Sequence, residues 1–313
     1  MDDTRIYAEL KPLIALQQQA AGFTFLPRQP VHSVLSGRHG SRLRGRGLNF
    51  EELRHYRYGD DIRTMDWKVS NRTGKPHVRV FSEEKERPVL LLVDQRLNMF
   101  FGSVHKMKSV VAAELAAIAA WRVLASGDRV GGLIFNDTTI EEVAPQRSRN
   151  TVLQLLHRVI RQNHQLRADA DTPPNAAQLN HALAAAERLC GHDYLIVLIS
   201  DMSGWDAESL KRVKRLARHN DLLAGLVFDP LEQELPADTR LLLSDGQLQM
   251  EVDTRADQLA AQFRADFDSG VSGLQQELGK HHIPVLPIDT VAPVAVQLRQ
   301  ILGAKLAQQH RAG

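Results

Sequence analysis

Between Pro88 and Asp289 the chain alternates short apolar runs with helical stretches, and that rhythm limits its fold more than any other feature. The runs are "VLLLVD" from Val89, "DRVGGLIFND" from Asp128, "DYLIVLISD" from Asp193, "LLAGLVFD" from Leu222 and "IPVLPID" from Ile283. A strand that is apolar at nearly every position, not at alternate ones, is buried on both faces. Between the runs lie stretches with helical spacing, such as "KMKSVVAAELAAIAAWRVLA", "RNTVLQLLHRVIRQN", "NAAQLNHALAAAERLC" and "ESLKRVKRLARHN". Strands alternating with helices predict an α/β fold, a doubly wound and mainly parallel sheet with helices on both faces. Asn136-Asp137 is turn chemistry and leads into "TTIEEVAP", a short partner strand. "LLLSDGQLQMEV", with Asp245-Gly246 at its turn, predicts a hairpin insertion near 240–252.

The first 85 residues read differently. Ile6, Leu10, Leu13 and Ile14 recur at helical spacing, which predicts a helix over residues 2–20. Residues 22–48 carry Pro27, Pro30 and the run "GRHGSRLRGRG", an irregular segment; "HVRVFSEEKE" then alternates as a strand. The expected organisation is an irregular and β N-terminal extension over 1–85, followed by the sheet domain over 86–313. A formal charge of +2 gives the whole molecule no strong pull toward nucleic acid or membranes. The lone Cys190 excludes internal disulfides and thiolate zinc clusters, and its apolar helical setting predicts an inert buried thiol. No apolar run approaches the roughly 18 residues of a membrane span. The acidic start "MDDTRIYAEL" lacks the layout of a signal peptide, so a cytoplasmic protein is expected.

Ligands of doubly wound sheets bind outside the carboxyl ends of the strands. Asp94, Asp137, Asp201 and Asp229 all stand at such ends. Asp94 and Asp201 would be central neighbours, and a pair of carboxylates there suits a hard cation such as Mg²⁺. Capping of the following helices is the competing role for both.

The order of elements and the strand–Asp–loop–helix unit resemble a von Willebrand factor type A domain. The preceding segment resembles the signature of the domain-of-unknown-function family fifty-eight. A Gly-rich basic run leads to Phe50, Arg54 and Tyr56, then Gly59, Asp60 and Asp61, then Asp66 and Trp67, then Arg72 and Gly74, and "FDPLEQELP" follows later. The resemblance spans roughly residues 33–303. It implies a protein-binding type A fold associated with MoxR-type AAA+ ATPases and with other type A domain proteins, acting as an adaptor or co-chaperone without enzymatic activity. Type A domains hold a metal through Asp-x-Ser-x-Ser, a distant Thr and a later Asp. Asp94 and Asp201 match that set, whereas Arg96 and Asn98 stand at the serine positions and Ala177 or a neighbour at the threonine. A guanidinium offers only donors and cannot lose its proton. Arg96 is therefore expected to pair with Asp94 or Asp201 in a degenerate site that needs no cofactor. In the alternative, Arg96 faces water and Asn98 supports a weak Mg²⁺ site, which makes the chain a Mg²⁺-dependent binding module.

The arginines of the basic loop, Arg38, Arg42, Arg44 and Arg46, are candidates for docking an acidic partner. Internal pairing with Asp60, Asp61 and Asp66 competes with that role. Nucleic acid is disfavoured because no aromatics interleave with the arginines. "YRYGDDIRTMDW" gathers three carboxylates, which raises a carboxylate-based hydrolase as a further alternative. A salt-bridged turn with Trp67 packed beneath it is the preferred reading. Gly45-x-Gly47 lacks the third glycine and the preceding strand of a nucleotide fingerprint, and no Gly-x-Ser-x-Gly elbow or His-Glu-x-x-His occurs.

Overall fold

The computed structural model describes residues 3–20, 48–83, 86–169, 173–236, 240–244, 249–253 and 257–309. Two compact units divide the chain, one built from residues 1–27 and 87–313 and the other from 28–86. In chain order the elements are α1 (Leu10–Ala15), β1 (Leu48–His55), α2 (Trp67–Thr73), β2 (His77–Glu83), β3 (Pro88–Asp94), α3 (Lys108–Ala125), β4 (Arg129–Phe135), β5 (Ile140–Gln146), α4 (Arg149–Asn163) and α5 (Gln178–Leu189). They continue with β6 (Leu195–Ser200), α6 (Ala207–Leu216), β7 (Asp221–Phe228), α7 (Pro230–Gln233), β8 (Arg240–Ser244), β9 (Gln249–Asp253), α8 (Asp257–Gly279), β10 (Val285–Asp289) and α9 (Val294–Gln309).

The larger unit is the expected α/β fold. Its six-stranded sheet has the order β10-β7-β6-β3-β4-β5. All neighbours are parallel except β5, which turns back along β4 at the edge. The unbroken apolar runs follow from burial on two faces. Val89, Leu91 and Val93 of β3 enter a core with α1, α3, α4 and α9, while Leu90 and Leu92 enter a second core with α5, α6 and α8. The sequence of β3 places it centrally, between β4 and β6. The chain winds outward from β3 in both directions, so the crevice of the topological switch opens between the ends of β3 and β6. The β8–β9 hairpin forms a separate two-stranded sheet, and its turn lies outside the described residues.

The N-terminal helix differs from expectation in extent and in attachment. A 3₁₀ turn at Asp3–Arg5, α1, and a second 3₁₀ turn at Leu16–Gln18 replace one helix over 2–20. This arm belongs with the sheet, not with the segment that follows it. Ala8, Leu13 and Ala20 are buried in the α3 core, and the Trp121 indole donates to the Leu13 carbonyl at 3.0 Å. The Ala8 amide donates to Asn163 of α4 at 2.7 Å. The physical reason is α3 itself. Its alanine-rich surface is apolar nearly all round, so burying one face on the sheet leaves another that α1, α4 and α9 must cover.

In the smaller unit β1 and β2 form an antiparallel pair, with α2 between them in sequence. Gly74, at a φ of 68°, ends α2 in the left-handed conformation that a side chain disfavours.

Leu13 is 2% exposed. Leu13→Ala is expected to lower stability by about 2–5 kcal/mol, the cost of a buried methyl-lined cavity. Urea denaturation followed by the Trp121 signal measures it; a change within error would mean that the arm does not contribute to the sheet core.

Candidate functional site

The carboxyl ends of β3 and β6 put Asp94 and Asp201 where they were expected. Asp94 is fully buried, and burial, the largest influence, pushes its carboxyl above the ordinary range. Asp201 adds to that push, while Arg96 and Ser200 oppose it. Arg96 folds back onto Asp94. Its Nε lies 3.0 Å from Oδ1 and its Nη2 2.6 Å from Oδ2, and its backbone amide donates to Oδ1 at 3.0 Å. The Ser200 hydroxyl donates to Oδ2 at 2.6 Å. The guanidinium also donates to the Ser203 carbonyl at 3.0 Å and approaches Asp201 at 3.8 Å and the Ala176 carbonyl at 3.5 Å. Phe135 stands under it, with its ring centroid 5.6 Å from the guanidinium carbon. Burial alone would lower the Arg96 pKa, but Asp94, Asp201 and Asp137 outweigh it and hold the group above its ordinary value.

A second cation, which the sequence reading missed, completes the cluster. Lys108 opens α3 and is 2% exposed. Its ammonium lies 2.9 Å from Asp201 and 2.6 Å from Glu232. Burial acts to lower its pKa, and the two carboxylates raise it above the ordinary value. The one signal in the sequence was its position, because a lysine in the first turn opposes the helix dipole and calls for nearby acids. Glu232 in turn accepts the Asp229 amide at 2.8 Å in a capping box on α7.

Asp229 fastens the next strand end. It is buried and accepts from the Ser103 amide at 2.9 Å, from the Ser103 hydroxyl, from Thr290 at 2.6 Å and from the Leu231 amide at 3.0 Å. Burial would raise its pKa, but these donors together hold it below the ordinary carboxylate range. Asp137 accepts the amides of Leu97 and Asn175, each at 2.7 Å. Gln95 donates to the Ser109 carbonyl at 3.0 Å and accepts from Asn163 at 2.9 Å, joining the loop after β3 to the N-terminal arm through Asn163. Neither Asp94 nor Asp201 caps a helix; Asp201 instead accepts the Ser203 amide at 2.9 Å. Asn98 is exposed and donates to the Ser203 hydroxyl at 2.6 Å. Ala177 precedes α5 and offers no side-chain cap.

This donor set does not fit a divalent cation. Mg²⁺ requires near-octahedral oxygen ligands, and here the carboxylate oxygens of Asp94 face a guanidinium and a hydroxyl while those of Asp201 face an ammonium and an amide. Among the described residues no group of three or more His, Cys, Asp or Glu side chains is arranged for a metal ion.

In the smaller unit each signature carboxylate is committed locally. Asp60 is held by Arg54 through two contacts of 2.8 Å, Asp61 caps the 3₁₀ turn at Ile62–Thr64, and Asp66 caps α2 and pairs with Arg79 at 2.8 Å. The salt-bridged turn is therefore present, but Trp67 does not pack beneath it: the side chain is 61% exposed. With Asp66 turned inward to cap the helix, the next residue of the first helical turn points out. Tyr56 is half-buried, and the backbone of Phe50 lies in β1. Arg38, Arg42, Arg44 and Arg46 lie outside the described residues. Cys190 is buried, and burial pushes its thiol up to about 12.

Residues 52–276 match the family described as "Protein of unknown function DUF58". The chain belongs to this family. A relative, the "Uncharacterized protein Rv1480" of Mycobacterium tuberculosis (strain ATCC 25618 / H37Rv), is 30% identical over 254 residues, covering 79% of this chain and 73% of that protein. Among solved structures, BatB from Bacteroides thetaiotaomicron is similar at 13% identity and a TM-score of 0.45, over 72% of this chain and 99% of that one. An aerotolerance-related membrane protein from Bacteroides fragilis is similar at 13% identity and a TM-score of 0.41, over 71% and 99%. The SpRpn10 VWA domain is similar at 11% identity and a TM-score of 0.36, over 68% and 94%. The cytoplasmic placement expected from the sequence is corrected by these comparisons, since a structural neighbour is named as a membrane protein. Among the described residues no helix is long and apolar enough to cross a membrane.

Removing one member of a buried pair strands the other. Arg96→Ala in this DUF58 chain is expected to cost about 3–5 kcal/mol by urea denaturation, because Asp94 then stays buried without its counter-charge. A loss below about 1 kcal/mol, the range of exposed pairs, would contradict the buried-pair account. For Asp229 the folded pKa is depressed, so its stabilisation is complete above its ordinary value of 3.8 and is lost as pH falls through the folded value. Asp229→Asn is expected to cost about 1–3 kcal/mol at pH 7. The gap to the unaltered chain should shrink as the pH drops below 3.8, as followed by denaturation at a series of pH values.

Proposed function

We propose that this chain is a non-enzymatic protein-interaction module that presents the carboxyl edge of its sheet to a protein partner without a metal ion. The observation that carries the reading is the Arg96 guanidinium lying on Asp94, at the position a cation takes in type A domains. Arg96 and Lys108 are fixed positive charges, joined to the chain, and they neutralise the strand-end carboxylates from within. Around this buried cluster the loop after β3 exposes Asn98, Phe101 and Val104, the last two at 36% and 65%. Ser103, between them, is tied to Asp229. The rim is thus held in one conformation before any partner arrives, which lowers the ordering cost of binding.

An enzymatic role finds less support, because the carboxylates of both units already accept hydrogen bonds that fix turns and pairs. The partner class we propose is a MoxR-type AAA+ ATPase, which the resemblance of the sequence implies together with the role of an adaptor or co-chaperone.

Calorimetric titration with Mg²⁺ is expected to give no saturable binding to the unaltered chain. The triple change Arg96→Ser, Asn98→Ser and Ala177→Thr should gain Mg²⁺ affinity by returning oxygen ligands to the site. In the same reading, a MoxR-type ATPase immobilised on a sensor captures the unaltered chain, and Phe101→Ala with Val104→Asp reduces that capture about tenfold or more. Mg²⁺ binding by the unaltered chain that disappears in Asp94→Ala would overturn the metal-free reading. Capture that ignores the loop changes would move the interface away from the strand ends.

A further inference from the structure

The smaller unit presents an unusual surface at the 3₁₀ turn and the start of α2. Three large apolar side chains are exposed within ten residues: Tyr58 fully, Ile62 at 60% and Trp67 at 61%. Trp67 lines an open depression of about 350 Å³ together with Arg63, Thr64, Asp66, Lys68 and Arg79. Clustered exposed aromatics and aliphatics cost solvation free energy and mark contact surfaces.

The charges around the depression are unequal in their commitments. Asp66 is buried, and its carboxylate is used by the Val69 amide at 3.0 Å and by Arg79 at 2.9 Å. Arg63 and Lys68 are exposed and form no ion pair among the described residues. The depression therefore faces solvent with two cations, unpaired among the described residues, beside an indole. Its backbone is rigid, because Asp61 and Asp66 cap the two short helical turns that carry these side chains.

We propose that this surface docks an acidic protein segment, one large apolar side chain seating against Trp67 in the depression while flanking carboxylates meet Arg63 and Lys68. The charge complementarity names the partner's sign, and the aliphatic and aromatic mixture names its anchor. A nucleic-acid strand fits less well, since Trp67 is the one aromatic among the described residues lining the depression and successive bases stack on several. The proposal does not depend on the strand-end reading.

The test uses the full chain and a fluorescent peptide of about twelve residues, glutamates and aspartates around one leucine and one phenylalanine, read by anisotropy. Saturable binding is expected, weakened about fivefold or more between 50 and 300 mM salt as the ion pairs are screened. Trp67→Ala, and separately the pair Arg63→Glu and Lys68→Glu, should each weaken it about tenfold with an unchanged melting temperature, because these side chains are exposed. Asn98→Ala with Phe101→Ala should leave the peptide affinity unchanged, so failure of the strand-end reading and failure of this one are told apart. Three results would overturn the proposal: no saturable peptide binding, binding that survives Trp67→Ala, or displacement of the peptide by an equal concentration of a twelve-nucleotide oligouridylate. A Trp67-dependent dimer that excludes the peptide would overturn it as well, by assigning the surface to a second copy of the chain.

Discussion

A carboxylate with no exposure to water cannot stay charged unless something positive comes with it, and at the end of β3 that something is Arg96. Two residues of separation let the side chain turn back on Asp94 while its own amide donates to the same oxygen. The loop after β3 is thereby bent into one shape before any tertiary contact is counted. Every further contact builds on that bend. Leu97 reaches Asp137 and Asn98 reaches Ser203, which brings the loops after β4 and β6 to the same place. Asp201, drawn toward the guanidinium on one side, binds Lys108 on the other, and Lys108 carries the connection to Glu232 and the end of β7. One ion pair at the topological switch thus becomes the anchor for four strand ends.

A cation that belongs to the chain differs in kind from a bound metal. A metal site can load, empty and exchange, so a domain that depends on one has at least two states. Arg96 cannot leave, and its charge is not lost at any ordinary pH. Lys108 is held in the same condition by two carboxylates. The strand-end cluster is therefore a permanent fixture of the fold. The Gln95–Asn163–Ala8 hydrogen bonds show how far the fixture extends, since they link the bent loop to α4 and to the N-terminal arm.

Much of this was legible in the sequence for a simple reason: a strand buried on two faces must be apolar at every position, and a turn aspartate at its end must have a partner. Those two rules located the parallel strands and the central pair, and the resemblance to the type A pattern pointed to the Asp94–Arg96 relation. Lys108 was not legible, because its partners come from Asp201 and Glu232, distant in sequence, and nothing in an alanine-rich helix says which segments will meet its first turn. The arm was misread for a related reason. Its apolar spacing announces a helix but not the surface that the helix covers, and the chain joins α1 to α3 across about a hundred residues. Trp67 was expected beneath the Gly-Asp-Asp turn because large aromatics are usually inside. The capping geometry decided otherwise: Asp66 must aim its carboxylate at the Val69 amide, and the residue after it is turned outward.

The two units spend their polar groups in opposite ways. In the sheet unit the charges are drawn inward, to the strand ends, and the apolar side chains fill two continuous cores. Among the described residues of the smaller unit, Asp60, Asp61 and Asp66 are tied down locally by Arg54, Arg79 and backbone amides, and Tyr58, Ile62 and Trp67 are left outside. Arg54 and Arg79 neutralise Asp60 and Asp66, so neither of these carboxylates is left to offset Arg63 and Lys68. The same hydrogen bonds that stiffen the turn therefore also set the sign of its surface. Stability alone does not call for this arrangement, because an exposed Trp67 contributes little to folding and invites association. A rigid, positively charged, apolar surface is what recognition of an acidic segment requires, and both properties arise here from one cause, the pairing of Asp60 with Arg54 and of Asp66 with Arg79.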